Sequence, residues 1–429
     1  MSRRAAAALG LVLAVLGLTG TASARAAWGK PFQLSTPGSL DYLGPQLAFS
    51  DAGAAAATFA VGDVDRPGTS AAYLVARTAA GGVGRPRSIA GAQQILSLAY
   101  DGRQLELLVG TSPRNQDCCS TAAAVQVSPS GAVQRARTLV GGLTGAAQGQ
   151  LLTLADGQMT AAVATERGVW VVQSSQGNRF GGQHLVSDKG QEPINMSAAW
   201  LGGESTIVAW TAGTGIIGAT APRSIYYATG SRKQAPHRAQ VALTVASGHR
   251  IDELAVVRRG SGSTLAWIES WYDRKGAYHS RVEAADLGSK APPRALSPDN
   301  RLASGLTFAG DAGGDQGLAW ESCTVDGTCA VQAAGRPAKR SFRGARTLGA
   351  IDSSQTPALT ISPQGQVIIG WVRGGHPVAS AGFGSPSVLS ATTYATATTV
   401  AYGPTHQALA AWTQGTLNPS VVAASYHAR

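Results

Sequence analysis

The sequence is poor in charged residues and has no helical patterning, and both shortages restrict the fold. Only 14% of its 429 residues are charged, whereas 44% are hydrophobic, a composition typical of a folded chain rather than a disordered one. Beyond the N-terminus no segment shows a sustained helical period of apolar residues, so the pattern excludes an α-helical fold. No later apolar run is long enough to span a membrane.

Motifs of several enzyme and binding classes are also missing. The chain has no Gly-x-Ser-x-Gly, no His-Glu-x-x-His and no phosphate-binding loop, and its four cysteines lack zinc-ligand spacing. We therefore expect no metal and no cofactor. Asp63 and Asp65 have a spacing seen in calcium loops, but no third oxygen ligand follows at the right offset. The formal net charge is +11, yet no nucleic-acid motif accompanies it, so we expect no nucleic-acid partner.

Residues 1–24 have the pattern of a secretory signal peptide. Arg3 and Arg4 precede the apolar stretch AAAALGLVLAVLGL, and Ala22-Ser23-Ala24 provides a small-residue cleavage site. The other interpretation of this segment is an uncleaved anchor. We expect residues 25–429 to form one secreted, extracellular domain, monomeric and free of the membrane after cleavage.

One line of sequence recurs through the chain: a turn, then a short apolar run that ends on a large residue. SPQGQVIIGW, which ends at Trp371, is an example. The large residues recur at intervals of about 50 residues, and each interval contains four short strand-like segments. Such a unit is typical of a propeller blade. The eight end positions are Phe59, Leu108, Val163, Trp210, Trp267, Trp320, Trp371 and Trp412.

These repeats predict an all-β fold, a closed β-propeller of four-stranded blades. Eight blades are favoured, and seven remain open because the second and third units lack the Trp. The last unit stops after its third strand, whereas the segment WGKPFQLS near the N-terminus is an additional strand. Residues 28–34 should therefore complete the last blade and close the ring, which also removes a free sheet edge.

The repeated turn-Gly-apolar-Trp line resembles that of secreted bacterial β-propellers of the sialidase-like (BNR/Asp-box) superfamily. The resemblance extends over residues 25–429 and implies the propeller fold. It does not include the catalytic signature of that family. The segments SPSG and SPQG lack the Asp of the Ser-x-Asp-x-Gly-x-x-Trp box, and no Arg-Ile-Pro is present near the N-terminus.

The long polar loops of this chain fall on one face of the predicted propeller, where second strands lead to third strands and one blade leads to the next. Loops carry function more often than the scaffold does. The loop richest in functional residue types is ESWYDRKGAYHS, residues 269–280, which includes Tyr278. Aromatic rings beside carboxylates suit carbohydrate, because a ring stacks on a sugar and a carboxylate accepts its hydroxyl hydrogens. The candidate ligand-binding residues are Trp271, Tyr272, Asp273 and Arg274.

The favoured function is a non-enzymatic propeller that binds a glycan, a peptide or a cell-surface partner on this face. No nucleophile–base pair is visible at a fixed spacing, so catalysis is less favoured. The alternative is a carbohydrate-active hydrolase or lyase of sialidase-like propeller type, with Glu269 and Glu321 as acid and base. Trp271 is expected beyond the end of its strand, so its replacement by Ala should weaken binding and spare the fold. His249 and His376 belong to the same face, without a partner visible in the sequence.

Four cysteines fit an oxidising compartment. Cys323 and Cys329 flank the turn-rich segment TVDGT, which could place them opposite each other across a hairpin, so we predict a disulfide between them. Cys118 and Cys119 are adjacent and are bridged to each other, reduced, or paired elsewhere. A bridge between Cys118 and Cys323 is disfavoured because their blades lie on opposite sides of an eight-bladed ring.

The basic segment RPAKRSFRGAR, residues 336–346, precedes a predicted fourth strand on the outer rim. A shorter basic group contains Arg232, Lys233 and Arg238. Either these residues attract anionic polymers, or they protect outer strands from edge pairing and keep the protein soluble. The second interpretation is favoured.

Overall fold

All secondary-structure elements in the described part of the chain are β-strands. The predicted signal peptide, together with Asp63, Asp65, Arg232 and Lys233, lies outside the described residues. None of the described segments forms a helix with the length and hydrophobicity needed to cross a membrane. A computed structural model describes residues 27–38, 41–62, 70–102, 104–113, 119–128, 131–143, 148–154, 157–175, 179–189, 191–213, 222–231, 238–404, 406–416 and 418–427.

The described chain begins with two short strands, which belong to the last blade, and then forms four blades of four antiparallel strands each. The strands are β1 (Ala27–Trp28) and β2 (Phe32–Gln33); in blade 1, β3 (Asp41–Phe49), β4 (Ala55–Gly62), β5 (Ala71–Arg77) and β6 (Arg87–Ile89); in blade 2, β7 (Ala92–Asp101), β8 (Gln104–Thr111), β9 (Thr121–Val127) and β10 (Arg137–Gly141); in blade 3, β11 (Gln148–Thr153), β12 (Met159–Thr165), β13 (Gly168–Ser175) and β14 (Arg179–Leu185); in blade 4, β15 (Glu192–Gly202), β16 (Ser205–Gly213), β17 (Ser224–Ser231) and β18 (Gln240–Thr244).

Four more blades follow. In blade 8, three strands come from the C-terminal part of the chain, and β1 and β2 complete the sheet. The strands are, in blade 5, β19 (His249–Arg259), β20 (Gly262–Tyr272), β21 (Tyr278–Asp286) and β22 (Arg294–Ala295); in blade 6, β23 (Leu302–Gly310), β24 (Gln316–Cys323), β25 (Cys329–Arg336) and β26 (Arg346–Ala350); in blade 7, β27 (Ala358–Ile361), β28 (Val367–Arg373), β29 (His376–Ala381) and β30 (Ser387–Val388); in blade 8, β31 (Ala395–Tyr402), β32 (Gln407–Gln414) and β33 (Ser420–His427).

The blades form a closed ring of eight, as the repeats predicted. The first strands of successive blades contact one another, and β31 of blade 8 contacts β3 of blade 1. The eight repeated large residues all lie in second strands and are no more than 2% exposed. Each packs between neighbouring blades: Trp267 of blade 5, for example, packs with Ile207 and Ala209 of blade 4. Each blade buries one such residue at the same place, between its sheet and a neighbouring one. The interval between these residues in the sequence is therefore the length of one blade.

The N-terminal strands complete blade 8, which confirms the predicted closure. Trp28 of β1 pairs with Tyr426 of β33, and Phe32 of β2 pairs with Ala423. Gly29, Lys30 and Pro31 separate β1 from β2, and Pro31 has no N–H with which to continue the ladder. The outermost position of blade 8 is therefore taken by the opposite end of the chain.

The predicted disulfide between Cys323 and Cys329 is present. The two residues are directly paired at the end of the β24–β25 hairpin, with their Cα atoms 4.0 Å apart. Cys119 is disulfide-bonded as well, and its Sγ lies 3.3 Å from Gln94 Oε1. Cys118 lies outside the described residues.

Charged side chains join blades 5 and 6. Glu253 on β19 accepts hydrogen bonds from the backbone N–H groups of Gly305 and Leu306 at the start of blade 6. At the other end of the strands, Arg336 of β25 donates two hydrogen bonds to Asp286 of β21, at 2.7 and 2.9 Å. Burial by itself raises the pKa of Asp286, but the hydrogen bonds from Arg336 and its charge outweigh burial and hold the pKa at about 2.

Candidate functional site

The candidate loop is mostly strand. Trp271 and Tyr272 are the last residues of β20, and Tyr278 is the first of β21, so only residues 273–277 form the turn. The expectation that Trp271 lies beyond its strand was therefore wrong: pairing with β19 and β21 continues to the hairpin tip. We call the face that carries this hairpin and the connections between blades the loop face.

Asp273 and Arg274 belong to the turn. The Asp273 Oδ1 atom accepts hydrogen bonds from the backbone N–H groups of Lys275 and Ala277, at 2.8 and 2.9 Å. This is the usual way in which an Asp side chain stabilises a tight turn. Arg274 is exposed, and within the described residues its side chain makes no hydrogen bond or ion pair. Asp273 thus stabilises the hairpin turn, and Arg274 is an exposed residue of that turn.

Trp271 is stacked between two imidazole rings. The strand register places His249 of β19 and His279 of β21 on either side of it. The ring centroids are 4.9 Å and 5.4 Å from that of Trp271, and the interplanar angles are 8° and 13°. Since both faces of the indole are covered, Trp271 does not offer a ring face to a sugar, contrary to its expected role.

His249 forms a hydrogen-bonded pair with a buried carboxylate. Its Nδ1 atom lies 2.5 Å from Glu269 Oε1, and Glu269 is only 7% exposed. Arg281 lies beside this pair, with Nη2 3.7 Å from Glu269 Oε2 and Nε 2.6 Å from Glu283 Oε1. Burial raises the pKa of Glu283, and the charge of Arg281 opposes this. Glu269 holds Nδ1 of His249, whereas the Nε2 atom has no hydrogen-bond partner among the described residues.

His279 is held at both ring nitrogens. Its Nδ1 lies 3.2 Å from the carbonyl oxygen of Asp299, and its Nε2 lies 3.4 Å from Asp273 Oδ2. Both nitrogens can donate only in the protonated ring. The Asp299 carbonyl, and then the Asp273 carboxylate, raise the pKa of His279. Hydrogen bonds from Ala277 and Lys275, and the contact with His279, lower the pKa of Asp273.

We expect the contribution of His279 to stability to depend on pH with a defined sign. A histidine with a raised pKa stabilises the fold fully below its ordinary pKa of 6.5, and this is lost as pH rises through the folded value. Asp273, with a lowered pKa, contributes above its ordinary 3.8 and loses this as pH falls. The difference in urea midpoint between wild type and His279→Gln should therefore be largest between about pH 4 and 6.5.

The matched control is His184→Gln, at an exposed histidine of β14 with no hydrogen bond among the described residues. It should leave the midpoint unchanged at every pH. A difference for His279→Gln that is the same at about pH 6 and about pH 9 would contradict the assigned contacts.

A pocket of about 190 Å³ opens beside this cluster on the loop face. Tyr272 is its most exposed aromatic residue, at 67%, and tilts against Tyr278 with ring centroids 5.3 Å apart. Arg250 pairs with Asp252 at 2.8 Å and lies over the Tyr278 ring. We call this the blade-5 pocket; its lining contains two arginines and no carboxylate. The lining residues are Arg223, Gly248, His249, Arg250, Ser270, Trp271, Tyr272 and Tyr278.

Two of the four predicted ligand-binding residues, Trp271 and Tyr272, line this pocket, and Asp273 and Arg274 do not. Sequence reasoning missed Arg223, His249 and Arg250 as members of the site. They lie on β19 or before β17, far from the hairpin in sequence, and only the strand register brings them to it. The sequence signal that could have located His249 in the site is a histidine at the first position of a blade's first strand, as in HRIDELAVV.

The structure does not bring Glu269 and Glu321 together. Glu269 is on the same face of its strand as Trp267, which packs on blade 4. Glu321 is on the opposite face from Trp320, which packs on blade 5, so it points toward blade 7. There its carboxylate accepts hydrogen bonds from Ser304 Oγ at 2.6 Å and from Ser354 N at 3.0 Å. Glu321 is 4% exposed and joins the two blades.

Glu321 also lies close to the sulfur atoms of Cys323 and Cys329, a grouping that resembles a metal-binding set. The two sulfurs are bonded to each other and offer no thiolate. This group therefore does not fit a metal ion.

The fold and pocket define the class: an eight-bladed β-propeller with an aromatic, arginine-containing pocket on its loop face. No protein-family model matches the chain. No curated protein matches it either. The sialidase-like resemblance thus remains an expectation from the repeat pattern.

Several solved structures are similar at 9–11% identity. A protein of unknown function from Dyadobacter fermentans has a TM-score of 0.45, with 94% of this chain and 99% of that chain covered. An ulvan lyase, a polysaccharide lyase, has a TM-score of 0.49 and coverage of 92% and 95%. An α-L-arabinanase from Penicillium chrysogenum has a TM-score of 0.40 and coverage of 93% and 98%.

Proposed function

We propose that the protein binds an acidic carbohydrate in the blade-5 pocket. The observation that carries this proposal is the lining itself: exposed Tyr272 stands beside Arg223 and Arg250, with no carboxylate among the lining residues. An aromatic side chain provides apolar area for a sugar ring, and guanidinium groups donate to its carboxylate or ester. The pocket volume of about 190 Å³ is below the usual range for drug-sized ligands, so it suits one sugar unit of a longer chain.

The stacking role that the sequence analysis gave to Trp271 passes to Tyr272 in this proposal. Because the two imidazoles cover Trp271, the stacking surface in this proposal is Tyr272, supported from behind by Tyr278. Arg250 donates through Nε to Ser270 Oγ and is balanced by Asp252, which fixes the direction of its guanidinium. Arg223 donates to the Val245 carbonyl, and no carboxylate among the described residues neutralises it. Arg223 therefore supplies unbalanced positive charge.

A second candidate is cleavage of an acidic polysaccharide by β-elimination, which the His249–Glu269 pair favours. In this reaction His249 Nε2 takes the proton from the carbon next to the uronate carboxylate, and the C–H electrons form a C=C bond. The glycosidic oxygen leaves and takes a proton from the Tyr278 hydroxyl. Arg250 stabilises the developing negative charge on the carboxylate. A hydrolase with paired carboxylates fits less well, since Glu269 and Glu321 face different neighbouring blades.

We also propose that the protein acts outside the cytoplasm. The disulfide between Cys323 and Cys329 suits an oxidising compartment, and the N-terminal segment has the pattern of an export signal.

The binding proposal predicts the effect of Tyr272→Ala. Calorimetric titration with an oligouronate should give an affinity at least about tenfold weaker than wild type, because burial of a large aromatic side chain contributes roughly 1.5–3 kcal/mol. The matched control is Tyr394→Ala, at a tyrosine 61% exposed on the same face, in the connection between blades 7 and 8. It should bind like wild type. Equal binding of the oligouronate and a neutral oligosaccharide by wild type, or no effect of Tyr272→Ala, contradicts the proposal.

Turnover decides between binding and lyase activity. The wild-type protein is incubated with polyuronates, and ultraviolet absorbance of the unsaturated product is followed. A lyase forms product that His249→Gln abolishes while oligouronate binding persists. Binding without product, in wild type, selects the binding module.

A further inference from the structure

A second pocket, of about 270 Å³, lies between blades 6 and 7 on the face opposite the blade-5 pocket. Four connections border it: the turn 311–315 before β24, residues 337–345 between β25 and β26, the turn 362–366 before β28, and the turn 382–384 after β29. Connections of this kind, from first to second and from third to fourth strands, all lie on one side of the ring. We call this side the hairpin face and the cavity the hairpin-face pocket.

The basic segment 336–346 supplies its charge. Arg336 is 8% exposed, and its guanidinium donates two hydrogen bonds to the Asp286 carboxylate. Arg343 and Arg346 are exposed and line the pocket. Neither guanidinium makes a hydrogen bond or ion pair with any described residue, and the chain is described without a gap from residue 238 to 404. Of the four arginines in this segment, Arg336 is structural, and two others, Arg343 and Arg346, border the cavity without a neutralising partner.

One carboxylate is also present. Asp315 lines the pocket, and its Oδ1 accepts a hydrogen bond from the backbone N–H of Ala338 at 2.7 Å. That contact fixes the carboxylate while its other oxygen remains an acceptor. The lining, without the paired Arg336, therefore has two positive charges and one negative charge.

Glycines keep the cavity open. Gly335, Gly344, Gly365 and Gly382 all line it. A Cβ at Gly335 would lie 2.8 Å from the Phe383 ring, and a Cβ at Gly365 would lie 2.5 Å from Asp315 Oδ2. Side chains at these positions would displace the two groups that form the wall.

Phe383 forms the apolar wall. Its φ is 61° and that of Gly382 is also 61°, so the two are the central residues of a tight hairpin turn that favours Gly or Asn. A bulky residue in this left-handed region is strained. Packing of the ring over Gly335 accounts for part of its position. The ring remains half-buried and in contact with the cavity.

We infer that the hairpin-face pocket binds a sulfate or phosphate ester of a sugar. Arg343 and Arg346 donate hydrogen bonds to the ester oxygens, as guanidinium groups do with tetrahedral oxyanions. Phe383 packs against the apolar side of the sugar ring, and Asp315 accepts a hydrogen bond from a sugar hydroxyl. This site is independent of the blade-5 pocket, and it gives the basic segment a binding role in addition to protection of the sheet edge.

Calorimetric titration of the full chain tests the site with four probes: glucose 6-phosphate, glucose 6-sulfate, inorganic phosphate and glucose. Wild type should bind both esters more tightly than inorganic phosphate, and glucose should not bind detectably. Arg343→Gln and Arg346→Gln should each weaken ester binding by about tenfold. The matched control is Arg340→Gln, an exposed arginine of the same connection that does not line the pocket. It should bind like wild type, as should Tyr272→Ala.

The variant Phe383→Asn separates a sugar site from a simple anion site. Asn tolerates the left-handed conformation, so the turn should persist, and thermal melting checks this. Ester binding should weaken and inorganic phosphate binding should not change. The proposal is overturned if the two arginine variants bind the esters like wild type. It is also overturned if inorganic phosphate binds as tightly as the esters and Phe383→Asn alters neither, which identifies an adventitious ion only.

Discussion

A chain that begins at residue 37 is expected to lose at least about 3 kcal/mol of unfolding free energy relative to one that begins at residue 25. The shorter chain lacks β1 and β2, so β33 becomes an unpaired edge. It loses the hydrogen bonds from Gly29 N to Ser425 O and from Leu34 N to Val421 O, at 2.7 and 2.8 Å. It also loses the buried side chain of Leu34 and the packing of Trp28 on Tyr426. An exposed edge strand promotes aggregation as well.

Urea unfolding followed by tryptophan fluorescence, with light scattering for aggregation, measures this effect. The matched control keeps the strand and removes one hydrogen bond, as in Ser35→Ala, where the hydroxyl that accepts from Val421 N is lost. That variant should lose only about 1 kcal/mol. Equal midpoints for the two chain lengths would show that the ring does not depend on this closure.

Trp271→Ala is expected to lower the unfolding free energy by about 2 kcal/mol. The indole is stacked between His249 and His279 and lies under the Arg281 guanidinium, with 5.1 Å between the guanidinium carbon and the ring centroid. Removal of the ring leaves a gap in the middle of this row. The loss should be smaller than for a fully buried Trp such as Trp320, because Trp271 is only partly buried.

Denaturant unfolding of Trp271→Ala and its neighbour Tyr272→Ala provides the comparison. Tyr272 is 67% exposed, so its replacement should change stability by less than about 0.5 kcal/mol. The two variants thus separate the roles: Trp271 supports the site and Tyr272 contacts the ligand. If Trp271→Ala were as stable as wild type, Trp271 would not support the site. The stacking role on a ligand that the sequence suggested would then apply to it.

The local sequence predicted the ring because its determinants are local. A turn followed by an apolar run ending on a large residue defines a second strand, and Trp210, Trp267, Trp320, Trp371 and Trp412 all lie in such strands. The incomplete last unit and the additional N-terminal strand predicted the closure at Trp28 and Phe32. The spacing of Cys323 and Cys329 predicted their pairing, because six residues of sequence separation suffice for a hairpin.

The candidate site was predicted only in its neighbourhood. The sequence identified the hairpin with Trp271 and Tyr272, but it did not indicate how far the strands continue toward the tip. It therefore assigned Trp271 to stacking on a ligand, whereas cross-strand neighbours cover both of its faces.

The sequence by itself predicted the four-stranded blades, the closure and the disulfide, and it favoured eight blades over seven, since each depends on short-range periodicity or on the two ends of the chain. Only the tertiary structure decided which side chains meet. Side chains alternate between the two faces of a strand, so a shift of one residue relative to the buried Trp directs Glu269 toward blade 4 and Glu321 toward blade 7. The register between strands then brings His249, distant in sequence, to Glu269 and Trp271. A spacing along one strand does not contain that information, because register is set by packing between strands and blades.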